Sequence, residues 1–504
     1  MKIFWTLGLG WMVGMLAGCT VGPDYHAPEV ALPDYWGESI DPAVSGFASS
    51  PPANSQTAQV ELSAWWTGFN DARLSALIDE AACGNLDLQI VEQRIRQARA
   101  MLRIAGTDEF PTVDVRGSFS RIESSSTTYE AGRGLVMQPH NLYQTGFDAS
   151  WELDLFGGTR RRIEAAQADL DTAYETRRGA MVTLISEVAR NYMDLRSAQQ
   201  RIEIARRNIE SQSKALELTS SRFSNGLTSR LDVTQAQSLL ASTQAQIPLL
   251  ENQAMQSIHR LSVLLGKEPN ALRVELMTAG PIPGIEGGLA KVPTGLPSDL
   301  LRRRPDIRRA ERQLAAANAR IGAATADLYP RLVLTGSGGF QSENSGDLLR
   351  HDSWFSSFGP GVRWLVFDAG KIRQNIEIQD ARTQEALMAY RQTILVSLEE
   401  AENALSAFNR QVTRRQSLVE AQKAGAESVV LAEELYRKGL GSFLAVLDAQ
   451  RSLYVQQDQL AQSDQAVVVT LVALYKALGG GWESYETGVA NRQVAPAAQP
   501  QTAQ

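Results

Sequence analysis

Two stretches of the chain, Arg222–Gln237 and Leu435–Gln450, align without a gap at an offset of 213 residues. Gly226, Leu227, Ser229, Leu231, Val233, Ala236 and Gln237 recur as Gly439, Leu440, Ser442, Leu444, Val446, Ala449 and Gln450. The same offset carries Trp151 onto Trp364, Gly157 onto Gly370, Arg160 onto Arg373 and Leu265-Gly266 onto Leu478-Gly479. Upstream the offset becomes 219 and pairs Ala98 with Ala317, Pro111 with Pro330 and Gly117 with Gly336. The chain is therefore a tandem pair, running from about 77–266 and again from 296–479, and any fold for it must be built twice.

Each copy reads in one order: helix, strand, loop, strand, long helix, turn, long helix. The first helix covers about 71–107 in copy one and about 298–327 in copy two, where Pro305 suits a first turn. From Pro111 to Arg121, Val113, Val115 and Phe119 alternate with Asp114, Arg116, Ser118 and Ser120. From Leu142 to Phe156, Tyr143, Phe147, Ala149, Trp151, Leu153 and Leu155 alternate with Gln144, Asp148, Ser150, Glu152 and Asp154. Pro330–Phe340 and Trp354–Phe367 take these places in copy two with weaker alternation. A period of two marks half-buried strands, and about ten residues suit a membrane barrel with an apolar outer face and a polar lumen. A soluble two-sided sheet carries the same pattern. The aromatics Tyr143, Trp151, Trp354 and Trp364 favour a membrane, where such rings gather at the interfaces. The connections at about 122–142 and 341–353, rich in Ser, Gly and Asn, read as exposed loops.

No proline interrupts residues 158–222, and Ile163, Ala166, Leu170, Ala173, Ala180, Leu184 and Val188 recur at threes and fours. A helix of that length reaches roughly 100 Å. Residues 370–436 repeat it, and the return helices are about 228–265, interrupted by Pro248, and 442–478. Such helices cannot bury themselves in one globular core and pack side by side as coiled coils. Four strands per chain cannot close a barrel, and open sheet edges are not tolerated in lipid. Several chains must each add four strands, and three chains would give about twelve, within the range of known barrels. The expected fold is an α+β membrane protein with tandem-duplicated long-helix coiled coils and four strands per chain. Several chains together close a shared β-barrel, 12-stranded if three contribute, which the long helices continue as an α-helical tube.

The start of the chain bears on where this assembly sits. Met1-Lys2, the apolar run Ile3–Met15 and the small residues before Cys19 read as a signal peptide, residues 1–18. Leu16-Ala17-Gly18-Cys19 resembles the bacterial lipobox. That resemblance implies that the Cys19 sulfur carries a lipid and that Cys19 is the mature N-terminus. Thr20 in place of Asp at the next position implies sorting to the outer membrane. An ordinary secretory signal with a chance cysteine is the alternative. If Cys19 carries lipid, Cys83 has no disulfide partner and reads as a small, partly buried helix residue. Residues 39–59 read as an extended surface segment, and the tail from about 485 as disordered. The expected division is signal peptide 1–18, lipid-anchored extended segment 19–70, repeat one 71–280, repeat two 281–482 and tail 483–504.

A net charge of −7 does not suggest a nucleic-acid partner. Arg302–Arg304, Arg308, Arg309 and Arg312 are interleaved with Asp306 and Glu311 and lack an aromatic platform, so they read as a helix start with intrachain pairs. His26, His140, His259 and His351 are scattered without metal-ligand spacing. The glycines near 157 and 370 lack the full pattern of a phosphate loop, and no catalytic set stands out. No enzyme activity, metal or cofactor is expected beyond the covalent lipid on Cys19.

Several motifs together are recognisable: Gly18-Cys-Thr-Val-Gly-Pro-Asp-Tyr25 with Pro28, Trp65-Trp66, Leu296-Pro-Ser-Asp-Leu-Leu-Arg-Arg-Arg-Pro-Asp-Ile307, Leu447-Asp-Ala-Gln-Arg451 and Ala477-Leu-Gly-Gly-Gly-Trp482. In them the chain resembles the TolC-like outer-membrane efflux protein family, lipoprotein branch, which serves resistance-nodulation-division multidrug pumps. The resemblance implies a homotrimer, a barrel in outer-membrane lipid, a periplasmic membrane-fusion adaptor docked at the tube tip, and an inner-membrane efflux transporter supplying energy. It implies an exit duct passing drugs or other small molecules out of the cell. The same duct serving type I protein secretion or metal export, and a periplasmic coiled-coil scaffold without a pore, stay open as alternatives.

The two turns joining the long helices need a residue that accepts positive φ, which Gly226 and Gly439 supply. The resemblance makes these turns the periplasmic tip where the adaptor docks: Arg222, Asn225, Gly226, Leu227 and Ser229, with Lys438, Gly439, Leu440 and Ser442. Just beyond, the spacing of Leu444, Asp448 and Arg451 puts them on one helix face. A leucine ring can seal a pore by dewetting and an acidic ring can bind cations. The resemblance places the closed gate on Leu444 and Asp448, with Arg451 as ion-pair partner. A solvated Asp–Arg pair is the bland alternative. The copy-one equivalents are Leu231, Gln235 and Ser238, which lack the carboxylate.

Overall fold

The computed structural model describes residues 20–38, 62–123, 139–285 and 297–486. Cys19 and the signal segment, residues 39–59, most of the first strand–strand loop and the tail beyond 486 lie outside the described residues. Copy one contains α1 (Ala72–Gly84), α2 (Leu86–Thr107), β1 (Thr112–Ile122), β2 (His140–Leu153), α3 (Gly158–Ser224), α4 (Arg230–Gln244) and α5 (Gln246–Leu264). Copy two contains α6 (Pro305–Ala326), β3 (Arg331–Ser342), β4 (Trp354–Arg363), α7 (Lys371–Arg437) and α8 (Phe443–Ala477). The expected order of elements is thus present twice, and α3 and α7 are each 67 residues long.

Four expectations need correction. The first helix of each copy is broken: in copy two the extended backbone of Arg304 separates a short helix, Leu300–Arg303, from α6, and in copy one there are two helices. Asn85 leaves the helical conformation, caps α2 by accepting from the Leu88 amide at 3.0 Å, and donates to the Leu264 carbonyl at 2.8 Å. β2 ends at Leu153 rather than Phe156, because Asp154 turns back to accept the Arg160 amide at the start of α3 (3.0 Å). β4 ends at Arg363 rather than Phe367. Asp368 caps α7 through the amides of Gly370 (2.9 Å) and Ile372 (2.7 Å), and among the described residues no strand pairs with Trp364–Phe367. Cys83 is exposed, not partly buried. The buried stripe of α1 is Leu74, Leu77, Ile78 and Ala81, and a residue two beyond Ala81 lies on the opposite face. The expected break at Pro248 is present. α4 stops at Gln244, since proline offers no N–H to that carbonyl and its ring crowds the turn before it.

The compact units cut across the duplication. One contains the described parts of Met1–Glu29, Arg94–Ala173 and Arg309–Tyr390; the other those of Val30–Gln93, Tyr174–Arg308 and Arg391–Gln504. Each therefore takes matching pieces from both copies.

The first unit holds one antiparallel sheet in the order β1-β2-β3-β4. The meander brings all four strand–helix junctions to one end and both strand–strand loops to the other. Trp151 and its repeat Trp364 mark the helix end identically. Their indole N–H groups donate to the carbonyls of Glu109 and Leu328, each at 3.0 Å. At the loop end Phe119 meets Tyr143, and Phe340 meets Trp354, with ring centroids 4.8 and 5.4 Å apart.

The second unit is held by the motifs that the sequence leaves unexplained. Trp65 stacks on Tyr475 (5.0 Å) and Trp66 on Tyr485 (5.9 Å). Gly481, at φ 105°, sits against both indoles, so the Gly-Gly-Gly-Trp segment is a close-packing device. Arg178 and Arg308 lie over the Trp482 ring, and both pair with the buried Glu175. Burial raises the Glu175 carboxyl above its ordinary range against the pull of these two cations. Arg304 is buried and reaches Asp306 (2.7 Å), Glu400 (2.6 Å) and the Ala477 carbonyl (2.8 Å). The arginine run is thus a helix start with intrachain pairs, as expected.

Candidate functional site

Register decides what the sheet can do. Val113↔Ala149, Val115↔Phe147, Trp151↔Leu334, Leu332↔Val362 and Gly336↔Phe358 are directly opposed, so they share one face. Asp114↔Asp148, Ser118↔Gln144, Ser150↔Thr335 and Ser337↔Ser357 share the other. One face is apolar and aromatic and the other mainly polar, with Val333 and Phe355 as apolar residues on it. Among the described residues nothing covers the apolar face. Val115, Phe147, Phe358 and Val362 are 75, 60, 80 and 70% exposed. A face like this is unstable in water and matched to lipid. The strands have 11, 14, 12 and 10 residues, long enough to span a bilayer at about 9–11. Among the described residues no helix is long and apolar enough to cross a membrane. Among the described residues no strand pairs with the outer edges of β1 and β4.

The described start of the chain is tied to the helix end of this sheet. The Val21 amide donates to the Phe156 carbonyl (3.1 Å), and Thr20 lies against Gly157 at φ 80°. Gly22 touches Gly322 so closely that a Cβ would fall 2.4 Å from its Cα. The buried Arg161 donates to the carbonyls of Val21 and Gly22 and pairs with Asp24 at 2.7 Å. Tyr25 donates to Glu311 (3.5 Å); burial and the Glu311 charge push its hydroxyl up to about 12. Arg161 was not singled out from sequence, and only the Gly-Pro-Asp-Tyr motif signals its partners.

The two turns lie in the second unit. Gly226 (φ 72°) and Gly439 (φ 76°) both end a long helix with positive φ. The amides of Gly226 and Leu227 donate to Phe223 (2.9 Å) and Arg222 (2.8 Å), and those of Gly439 and Leu440 to Tyr436 (3.0 Å) and Leu435 (2.8 Å). These are matching Schellman closures. Asn225 adds a side-chain bond to the Ser221 carbonyl at 2.7 Å. Ser229 caps α4 in a capping box with Asp232, and Ser442 caps α8 through the Ala445 amide at 3.4 Å.

The turns are tied to each other by contacts in which Tyr436 and Phe443, not singled out from sequence, take part. Ala236, Tyr436, Phe443 and Val446 form a buried cluster. Arg222 donates to the Tyr436 carbonyl at 2.8 Å and lies 4.6 Å from the centre of its ring. Leu227, Leu440, Leu231 and Leu444 stay 67, 75, 63 and 61% exposed. In α8, Phe443, Val446 and Gln450 point inward, which leaves Leu444, Asp448 and Arg451 together on the exposed face. Among the described residues no ion pair joins Asp448 to Arg451 within this chain. Lys438 is exposed beside Gly439.

With this geometry in hand, comparison with known proteins is informative. The family model for outer membrane efflux proteins matches residues 77–267 and 296–480, one match per copy. Nodulation protein T of Rhizobium leguminosarum bv. trifolii is 33% identical over 476 residues, covering 93% of this chain and 96% of that protein. The toluene efflux pump outer membrane protein TtgI of Pseudomonas putida is 34% identical over 473 residues, with 93 and 96% covered. Among solved structures, the outer-membrane channel OprN superposes with a TM-score of 0.83 at 35% identity, covering 92% of this chain and all of that one.

Proposed function

This chain belongs to the outer membrane efflux protein family, and from that premise we propose that it is the outer-membrane exit duct of a tripartite efflux pump. It works as a passive homotrimeric pore. One observation carries the reading: a sheet with an uncovered apolar face, a polar opposite face and two unpaired edges continues at one end into helices of 67 residues. In lipid the edges must be satisfied, and copies of the same four strands satisfy them while placing the polar face around a lumen.

The exposed leucines of the two turns suit docking of an apolar adaptor segment, and an inner-membrane transporter supplies the energy. The Leu444 and Asp448 face is the periplasmic constriction. Arg451 then finds its carboxylate across a subunit boundary. A lipid is carried on Cys19, the residue before Thr20, and Thr20 itself lies against Gly157 at the helix end of the sheet.

Deleting the gene and restoring it tests this directly. The account expects intracellular accumulation of a pump substrate on deletion, reversal on restoration, and a detergent-extracted trimer in the outer-membrane fraction. A soluble monomer in the periplasm would instead support the scaffold reading. A Cys19→Ala variant should lose metabolic labelling by fatty acid.

A further inference from the structure

We propose that the polar face of the sheet carries, at the helix end of its second hairpin, a binding station for carboxylate-bearing permeants, centred on Arg363. This rests on the pore reading above and gives its lumen a substrate preference. Arg331 and Arg363 lie directly opposite each other on β3 and β4, on the polar face. Like charges so placed oppose strand pairing. Arg331 is drawn aside by Asp327 (2.5 Å) and Glu152 (3.7 Å). Arg363 is exposed, and among the described residues its guanidinium meets no carboxylate and makes no hydrogen bond. The other charges on this face are Asp114, Arg116, Asp148 and Glu152. Asp148 holds Arg116 at 3.4 Å, and Asp114 lies on β1, at the opposite edge of the sheet from β4.

The duplication supplies an internal control. Copy one builds the same hairpin with Thr112 opposite Ser150, the threonine hydroxyl donating to the Ser150 carbonyl at 3.2 Å. The hairpin therefore does not need arginine at either place. The rest of the junction shifts in the same direction. Lys371 stands where copy one has Gly158, and Leu365 and Phe367 stand where it has Glu152 and Asp154. In copy one Asp154 holds Arg160 at 3.3 Å, and the equivalent Arg373 lacks that carboxylate. One change runs the other way, Asp368 for Leu155, and its carboxylate is taken up by the α7 cap. Each subunit thus has one basic junction, and three subunits place three Arg363 side chains around the lumen. A ring of arginines favours anions, and the planar fork of a guanidinium matches a carboxylate with two parallel hydrogen bonds.

Block of single-channel current by trimesate, a planar tricarboxylate, tests this on the full lipidated protein in planar bilayers. Arg363→Gln should weaken the block by at least about tenfold, the order expected when one charge-assisted hydrogen bond is lost, and Arg363→Lys by less. Arg121→Gln, which removes the same charge from the apolar face at the loop end, should leave the block unchanged. Spermidine, a trication, should block Arg363→Gln at least as well as wild type. Unchanged trimesate block in Arg363→Gln, or equal weakening for trimesate and spermidine, would overturn the station. A smaller trimer fraction with unchanged block would also overturn it, and would assign Arg363 to contact between copies instead. Wild-type protein that inserts but passes no current would sink the pore reading on which the station rests.

Discussion

Removing the Arg222 guanidinium should loosen the tip. Arg222 is the polar tie between the two turns, bonding the Tyr436 carbonyl at 2.8 Å and covering its ring at 4.6 Å. A hydrogen bond from a charged donor contributes about 1.5–3 kcal/mol, and the ring contact about 0.5–1 kcal/mol at exposed sites. Arg222 is half-buried, so solvent takes back part of this, and about 2 kcal/mol per subunit is a reasonable total. If opening breaks the tie, Arg222→Ala raises the open population by up to about 30-fold, since 1.4 kcal/mol is tenfold. The assay is the entry rate of a bulky β-lactam into cells lacking the inner-membrane transporter, read by its hydrolysis in the periplasm. Arg222→Lys, which keeps the charge but not the planar fork, should fall between wild type and Arg222→Ala. Unchanged entry in Arg222→Ala, with normal trimer in the outer membrane, would refute the reasoning.

Other consequences are equally concrete. Asp448→Ala should increase passive entry of large antibiotics in the same assay, and wild-type permeability would remove Asp448 from the gate. Gly439→Val forces a β-branched residue to φ 76°; it should abolish efflux while the protein is still found in the outer membrane, and normal efflux would count against the turn's role. Burial would raise the Asp306 carboxyl, but the Arg304 guanidinium and the Ile307 amide together hold it below its ordinary value. A depressed carboxyl stabilises the fold above the unfolded carboxylate range and loses that contribution as pH falls through the folded value. Thermal stability should therefore drop on acidification below about pH 4. Asp306→Asn should lower stability at neutral pH by about 1–2 kcal/mol, the exposure of Asp306 being allowed for, and flatten that acid slope in a melting series.

Much of this fold is legible because it is periodic and repeated. The period-two runs around Val115 and Trp151 gave strands within three residues of their observed ends. The proline-free Ala stripes gave two helices matching to within about two residues, the usual uncertainty of helix ends. The failures share a cause. Asn85, Asp154 and Asp368 end elements through side-chain caps, and a cap is a local competition that periodicity does not register. Cys83 was misplaced because one residue's burial depends on the phase of its helix, which only the stripe Leu74-Leu77-Ile78-Ala81 fixes. At the tip, the glycines were readable from backbone need. The Arg222–Tyr436 tie was not, because it joins the two copies where their sequences differ: Arg222 repeats as Leu435, and Tyr436 as Phe223.

The most direct test of the account is single-channel recording of the purified, lipidated wild-type protein in planar bilayers. The account predicts discrete openings of one channel class, small and rare while the tip is closed. Insertion confirmed by protease protection, with no conductance at any voltage, would contradict a pore formed by these strands.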